Sequence, residues 1–139
     1  MDGLRDFTDH AIVSLDQADR VAVVFSQDVP AIRGAIKSMG LFRRLGYGAS
    51  SMTLVMNRYK SAESATLDAV EAALGARIDW FLPEDFDTAH AALNTGQLVV
   101  QSAPKSKMGI GVEDLGRSLA GMTRIERPKG FFSKLFGRG

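Results

Sequence analysis

Two side chains and one proline in this sequence have the chemistry to recognise a nucleotide. The Asn57 amide can hydrogen-bond the edge of a base, and Arg58 can stack on a base or contact a phosphate. Pro83 offers an apolar face, with backbone groups beside it that can read a base. The pattern is equally compatible with a purely structural role, because Asn and Pro also end strands well. These residues fall within two of three short segments of interest, which are 26–30, 57–60 and 83–85.

Other kinds of chemistry have little support in the sequence. The two histidines, His10 and His90, are far apart and do not form an H-E-x-x-H pattern. No serine lies in a G-x-S-x-G elbow, and the absence of cysteine excludes disulfides, thiol redox chemistry and Cys-ligated metal sites. We therefore expect neither a catalytic residue nor a metal site in this chain.

The three segments each follow a predicted strand. Largely apolar runs at residues 20–25, 52–56 and 78–82 are typical of buried parallel strands, and Pro83 is expected to stop the third. Open parallel sheets bind ligands at the carboxyl ends of their strands. We therefore expect the three segments to meet at one edge of the sheet.

Apolar residues at helical spacing separate these strands and predict an α/β fold. The alternation of strands and helices predicts a parallel sheet with helices on both faces. The predicted helices span residues 2–17, 29–45, 64–74, 84–93 and 107–121, and residues 98–101 are predicted to form a short extended segment.

Length and charge predict one domain followed by a basic tail. The 139 residues, 45% hydrophobic and 24% charged, suit a single globular domain. Residues 124–139 have a net charge of +4, which leaves −3 for residues 1–123 out of the total of +1. We therefore predict an α/β domain over residues 1–123 and a linker and tail over residues 124–139. An acidic domain argues against a nucleic-acid partner.

The tail has the pattern of an interfacial amphipathic helix. Four apolar side chains share one side of a short predicted helix, and two cations fall toward the other side, which predicts attachment to an anionic membrane. The alternative is that the aromatic cluster packs on the protein's own core, but Pro128 and Gly130 in the linker favour the membrane. The sequence has neither a signal-peptide pattern nor a long apolar run, so we expect a cytoplasmic location. The tail residues are Phe131, Phe132, Leu135 and Phe136 on the apolar side and Lys134 and Arg138 on the basic side.

Six short segments follow one another in a particular order along the chain: ADRVAVVF (18–25), DVPAIR (28–33), LVMNRYK (54–60), LPED (82–85), AALNTG (91–96) and FFSKLFGR (131–138). Together they resemble the second half of CpaE/TadZ-type pilus-assembly proteins. That family belongs to the MinD/ParA class of deviant Walker ATPases. The resemblance extends through nearly the whole chain, and the order of the segments is more specific than any one segment.

The resemblance implies a P-loop-type α/β fold that forms nucleotide-dependent dimers. It also implies a role in positioning a Flp/Tad (type IV-type) pilus machine at the cytoplasmic face of the inner membrane, with pilus or secretion-system proteins and a second copy as partners. MinD-class proteins often end in a similar membrane-targeting helix. Together with Arg58, the implied nucleotide-binding residues are Asn57, Leu82, Pro83, Glu84 and Asp85, and Asp28, Pro30 and Arg33 are implied to lie near the dimer interface.

The sequence departs from the ATPases of this family in one respect. It contains neither G-x-x-x-x-G-K-[ST] nor G-K-G-G-x-G-K, the loops that surround nucleotide phosphates. ATP and Mg²⁺ would therefore be cofactors only if another segment supplied that loop, and we expect no ATP hydrolysis by this chain alone. Two functions follow from the sequence. The chain is either a non-catalytic localisation or scaffold protein, or the adenine-binding half of an ATPase completed by a missing N-terminal segment or a partner chain.

Overall fold

A computed structural model describes residues 9–61 and 67–122, in which three parallel strands form one sheet. The strands lie side by side in chain order, which confirms the predicted parallel α/β fold. The strands are β1 (Val21–Ser26), β2 (Met52–Tyr59) and β3 (Trp80–Pro83), and a single 3₁₀ turn, Ala49–Ser51, precedes β2. The helices are α1 (Asp9–Asp16), α2 (Val29–Arg44), α3 (Leu67–Leu74), α4 (Phe86–Thr95), α5 (Val99–Ser102) and α6 (Lys107–Leu119).

Helices pack on both faces of the sheet. Successive side chains of a strand point to opposite faces, so Leu54 and Met56 of β2 share one face and Val55 belongs to the other. Leu54 and Met56 lie in the main core with Met39 and Phe42 of α2. Val55 is fully buried on the opposite face, where α6 packs against β3. This arrangement agrees with the prediction that helices cover both sides.

Side-chain caps mark the residues at which α2 and α6 begin. Asp28 accepts a hydrogen bond from the Ala31 N–H at 2.9 Å at the start of α2, and Pro30 occupies the first turn, where no backbone N–H is needed. Ser106 caps α6 by accepting the Gly109 N–H at 2.9 Å. The caps explain why these helices begin where they do.

The predicted extended segment at residues 98–101 is wrong, because it forms most of the short helix α5. The backbone N–H groups of Gln101 and Ser102 both donate to the Leu98 carbonyl, and the Ser102 hydroxyl donates to the same oxygen. A four-residue apolar run has too few residues to distinguish a strand from a helical turn by periodicity. Contacts with α4 and α6 stabilise the turn.

Several element boundaries also differ from the prediction, by one to three residues. The second strand continues beyond residue 56 to Tyr59, and Pro83 is the last residue of β3, where it pairs with Tyr59. Proline is tolerated there because β3 is an edge strand and a terminal residue need not donate to the ladder. Helix α4 begins at Phe86, after its Asp85 cap, and not at residue 84. Predicted residues 2–8 of the first helix and 64–66 of the third lie outside the described residues.

The outer edge of β1 is open in the described part of the chain. No described strand pairs with β1 on the side away from β2. Its side chains on the α6 face of the sheet, Ala22 and Val24, are exposed, and Val24 retains 56% of its accessible surface. Strand β1 therefore has the apolar sequence of a buried strand, although in the described structure its outer edge and its side chains on the α6 face are exposed to solvent.

Within residues 9–61 and 67–122, no helix is both long enough and apolar enough to cross a lipid bilayer.

Candidate functional site

The three predicted segments meet at the carboxyl edge of the sheet, as their positions after the strands require. Ser26 at the end of β1 is in register with Asn57 of β2, and Tyr59 is in register with Pro83 of β3. The loops that follow the three strands are therefore neighbours. In open parallel sheets this is the edge that binds ligands.

A β-bulge interrupts β2 at this edge. Met56 pairs with Phe81 and Tyr59 with Pro83, so β2 uses one more residue than β3 over the same stretch. The extra residue is accommodated at Arg58, whose φ of 54° lies in the left-handed region. The Asn57 Oδ1 accepts the Arg58 N–H at 2.9 Å and supports this turn, while no described residue accepts from the Asn57 Nδ2. The amide donors of Asn57 therefore remain available to a ligand.

Glu84 holds the two cations that follow Asn57. The Arg58 Nη2 lies 3.0 Å from Glu84 Oε1, and the Lys60 Nζ lies 2.8 Å from Glu84 Oε2. Lys60 and then Arg58 lower the pKa of the Glu84 carboxyl below its ordinary value. Glu84 is the least exposed of the three side chains, at 24% against 67% for Arg58 and 51% for Lys60. One carboxylate thus bridges β2 and the end of β3 and neutralises part of the positive charge at this edge.

A second set of hydrogen bonds ties the β1 loop to β2. The Gln27 Oε1 accepts the Lys60 backbone N–H at 2.9 Å. The Ser26 hydroxyl donates to Asp28, the residue that caps α2. The Ser26 hydrogen bond, followed by the Ala31 N–H, lowers the pKa of the Asp28 carboxyl. Asp28 therefore has a structural role as a cap, and its side chain is at the surface.

Leu82 and Pro83 belong to the packing beneath α6. Both side chains are buried, and a Cβ at Gly111 would lie 3.2 Å from the Leu82 Cδ2 and 3.7 Å from the Pro83 Cδ. The apolar face of Pro83 is therefore covered, so any ligand at this edge would meet the backbone of these residues and not their side chains. Asp85 caps α4 by accepting the Thr88 N–H at 3.2 Å.

The structure brings only some of the predicted site residues together. Asn57, Arg58 and Glu84 form one surface cluster, whereas Leu82, Pro83 and Asp85 beside it are occupied by packing and capping. Pro30 and Arg33, predicted to lie near a dimer interface, are exposed along the first turns of α2. No group of three or more metal-binding side chains occurs among residues 9–61 and 67–122. All the predicted tail residues, Phe131, Phe132, Lys134, Leu135, Phe136 and Arg138, lie outside the described residues.

Sequence reasoning missed two members of the cluster, Gln27 and Lys60. Their place in the segments after β1 and β2 was the available signal, since the ends of adjacent parallel strands must be neighbours. The exposed ring of Phe86, at the start of α4, also went unnoticed. It is 71% exposed and stacks on the His90 ring with a centroid distance of 5.4 Å.

Comparison with known proteins finds a similarity in sequence to MinD and in fold to ParA and MinD proteins. No protein-family model matches the chain. The septum site-determining protein MinD of Thermotoga maritima is 29% identical over 136 residues, covering 85% of this chain and 49% of that protein. The crystal structure of a ParA family ATPase from Chlorobium tepidum superposes with a TM-score of 0.72 at 24% identity, covering 79% of this chain and 46% of that one. The MinC:MinD cell division protein complex of Aquifex aeolicus gives a TM-score of 0.69 at 20% identity, covering 87% of this chain and 50% of that chain.

Each matched protein is about twice as long as the part of it that this chain covers. The chain spans about half the length of the MinD and ParA proteins that it matches, with coverage of 46–50%. The structural likenesses establish the α/β fold, and the sequence match to MinD extends over most of the chain. This protein is therefore related to the MinD/ParA ATPases and has the fold of about half of such a protein.

Proposed function

We propose that this chain is a non-catalytic localisation or scaffold protein that helps to position a Flp/Tad pilus machine at the cytoplasmic face of the inner membrane. Its relationship to MinD/ParA ATPases supports a positioning role, since the matched Thermotoga protein is described as septum site-determining. The pilus assignment rests on the sequence resemblance to CpaE/TadZ proteins alone. Pilus or secretion-system proteins and a second copy of the chain, with Asp28, Pro30 and Arg33 near the contact, are its proposed partners.

The observation that carries this proposal is the ion pairing of Glu84 with Arg58 and Lys60. Cations that neutralise phosphate must be free to face it. Here one carboxylate already holds both cations at the carboxyl edge, while the Asn57 amide donors stay available. The edge is thus better suited to weak recognition of a base than to handling phosphates.

Calorimetric titration with ATP and Mg²⁺ and a phosphate-release assay test whether this edge binds or hydrolyses ATP. We expect no tight ATP binding and no phosphate release by the purified chain. Asn57→Ala serves as the matched variant. If the unmodified chain binds adenosine or ATP weakly through the base, the heat of binding should disappear in this variant. Phosphate release above a buffer blank that is abolished by Asn57→Ala would overturn the non-catalytic assignment.

Peripheral attachment is the second part of the proposal, and it rests on the aromatic and basic pattern of residues 131–138. Burial of Phe and Leu side chains can contribute on the order of 1.5–3 kcal/mol each at full burial, and nearby cations about 1 kcal/mol each on an anionic leaflet. Binding should therefore be reversible and salt-sensitive.

Co-sedimentation with anionic vesicles tests the attachment. Changing Phe132 and Phe136 together to Glu should remove most of the binding, as should ending the chain at Arg127. Equal binding by the full chain and the version that ends at Arg127 would reassign the tail to the protein's own core or to a partner. In the host, we expect the version ending at Arg127 to lose membrane localisation and surface pili together.

A second candidate function is the adenine-binding half of an ATPase completed by another segment or chain. The open edge of β1 favours it, because Val24 is 56% exposed on a strand of buried type and the chain spans about half the length of its relatives. Under this candidate, a polypeptide with a glycine-lysine phosphate loop is encoded beside this chain. Co-expression should then give ATP turnover that neither chain shows alone.

A further inference from the structure

A line of three cations follows the outward face of α2. Arg33, Lys37 and Arg44 are exposed, and their spacing places them within about 40° of one another around the helix axis. The line extends for about 16 Å along the helix. Met39 and Phe42 on the other side of α2 are buried in the core. We call Arg33, Lys37 and Arg44 the α2 basic stripe.

The stability of α2 accounts for Arg44, a cation in the last turn, but not for Arg33 and Lys37. Helix α2 contains no acidic residue in its 16 positions, and none of the three cations has a hydrogen bond or ion pair with a described residue. Arg33 and Lys37 are like charges at i and i+4, which is mildly destabilising, and Arg33 lies in the half of the helix where the macrodipole disfavours a cation. Arg43 contrasts with them, because it donates to the carbonyls of Leu74 at 2.6 Å and Gly75 at 3.2 Å and so caps α3.

The shape of this face suits a broad anionic surface. An open depression of about 600 Å³ lies along the stripe and is lined by Lys37, Ser38, Gly40, Leu41 and Arg44. The face has no aromatic side chain, whereas protein interfaces depend on a buried apolar or aromatic centre. The headgroups of an anionic bilayer require only cations within reach.

We propose that the α2 basic stripe contacts the headgroups of an anionic membrane and orients the domain on it. This inference rests on the proposed peripheral attachment of the tail. Helix α2 connects the carboxyl end of β1 to the start of β2, so Arg44 lies at the amino edge of the sheet. The last turn of α6 lies at the same edge, where the Ser118 carbonyl accepts from the Arg20 Nη1 at 3.4 Å.

The tail can therefore reach the membrane that the stripe contacts. Eight residues lie between Met122, just after α6, and Phe131, and the nine steps from one to the other span at most about 30 Å when extended. That reach exceeds the distance of about 20 Å between helices on opposite faces of a sheet, at about 10 Å per layer. Two linked contacts with one bilayer strengthen each other through effective concentration.

The test compares two variants of the full chain that lose the same charge. Lys37→Gln/Arg44→Gln removes two cations of the stripe and leaves Arg33, which the proposed dimer contact shares, in place. Lys105→Gln/Lys107→Gln removes two exposed cations at the start of α6. Co-sedimentation uses phosphatidylserine–phosphatidylcholine vesicles, at the salt concentration where the unmodified chain is half bound.

We expect the stripe variant to bind roughly tenfold more weakly and the α6 variant to bind nearly as the unmodified chain. Adding Arg33→Gln should weaken binding further. Equal binding by the two variants would overturn the proposal. The proposal would also be overturned if the stripe variant kept its vesicle binding but lost binding to double-stranded DNA or to polyglutamate. That result would assign the stripe to a nucleic acid or an acidic protein.

Failure of the tail anchor is distinguishable from failure of the stripe. The stripe substitutions are also made in a chain that carries Phe132→Glu/Phe136→Glu. If the tail substitutions leave vesicle binding unchanged while the stripe substitutions still weaken it, the tail proposal fails and the stripe proposal stands. If the stripe substitutions have no effect in either background, the stripe proposal fails alone.

Discussion

Arg58 adopts a backbone conformation that residues with a Cβ rarely adopt. Its φ of 54° belongs to the left-handed region, where a side chain crowds the following carbonyl. The bulge in β2 imposes this conformation on Arg58, and its guanidinium forms an ion pair with Glu84 just after β3. The residue therefore combines local strain with an ion pair across the candidate site.

Substituting Arg58 by Gly or Ala separates these two contributions. Both variants lose the ion pair with Glu84, but only Gly adopts a positive φ without steric cost. We expect Arg58→Gly to be more stable than Arg58→Ala by about 0.5–1 kcal/mol, measured by urea unfolding. A more stable Ala variant would show that the bulge is absent or that position 58 has an ordinary conformation in solution.

The Glu84 carboxylate should make stability depend on pH in one direction. Lys60 and Arg58 lower its pKa in the folded protein below the ordinary value of 4.5, so the unfolded chain binds more protons as the pH falls. The contribution is present above about pH 4.5 and is lost as the pH falls through the lowered pKa. Glu84→Gln should therefore lower the urea midpoint at pH 7 and have a progressively smaller effect as the pH falls below 4.5. A loss that stays the same as the pH falls would mean that the ion pairs do not form.

At the scale of elements, the junction of α5 and α6 depends on one glycine. A Cβ at Gly109 would lie 2.2 Å from the Ala103 carbonyl oxygen, which is backbone and cannot move aside as a side chain could. The same carbonyl accepts the Ser106 hydroxyl at 2.8 Å, and Ser106 caps α6. The close approach therefore fixes how α6 leaves α5 and packs against β3.

Alanine at two positions of α6 should have opposite effects. Gly109→Ala is expected to destabilise the fold by about 1–3 kcal/mol through overpacking. Gly116→Ala, in the same helix but with no atom within 4 Å of the added methyl, is expected to stabilise it by about 0.5–1 kcal/mol, because Ala is the better helix former. Thermal unfolding of the two variants measures both. Destabilisation of similar size at both positions would contradict the close packing at Gly109.

At the scale of the whole molecule, the edge of β1 that no described strand covers offers a surface for association. An unpaired edge strand offers backbone hydrogen bonds to another chain, and a lysine on such an edge opposes pairing. We expect light scattering to show concentration-dependent association of the unmodified chain, and Val24→Lys to reduce it.

Val13→Lys is the matched control for Val24→Lys. Val13 of α1 is 55% exposed against 56% for Val24, so both substitutions add the same charge at an equally exposed valine. Only Val24 belongs to the open strand. Equal reduction by both substitutions would point to general charge repulsion, and a strictly monomeric unmodified chain would rule out association through β1.

The sequence by itself determined the three strands, the longer helices, their order and the sheet edge where the candidate site lies. Largely apolar runs such as 20–25 and 52–56, separated by stretches with helical spacing, predict a parallel sheet. The carboxyl ends of parallel strands must then be neighbours, so Asn57 and Glu84 could be placed near each other from the sequence alone. These inferences depend on local periodicity and on topology, which a single sequence contains.

Only the tertiary structure decided what the side chains at that edge do. The bulge at Arg58 depends on a register mismatch between β2 and β3, and the burial of Pro83 depends on how closely α6 approaches at Gly111. The pairing of Glu84 with both Arg58 and Lys60 likewise depends on side chains 24 or more positions apart in the chain. Distances between such residues are set by packing between elements, and no local pattern of residue types encodes them.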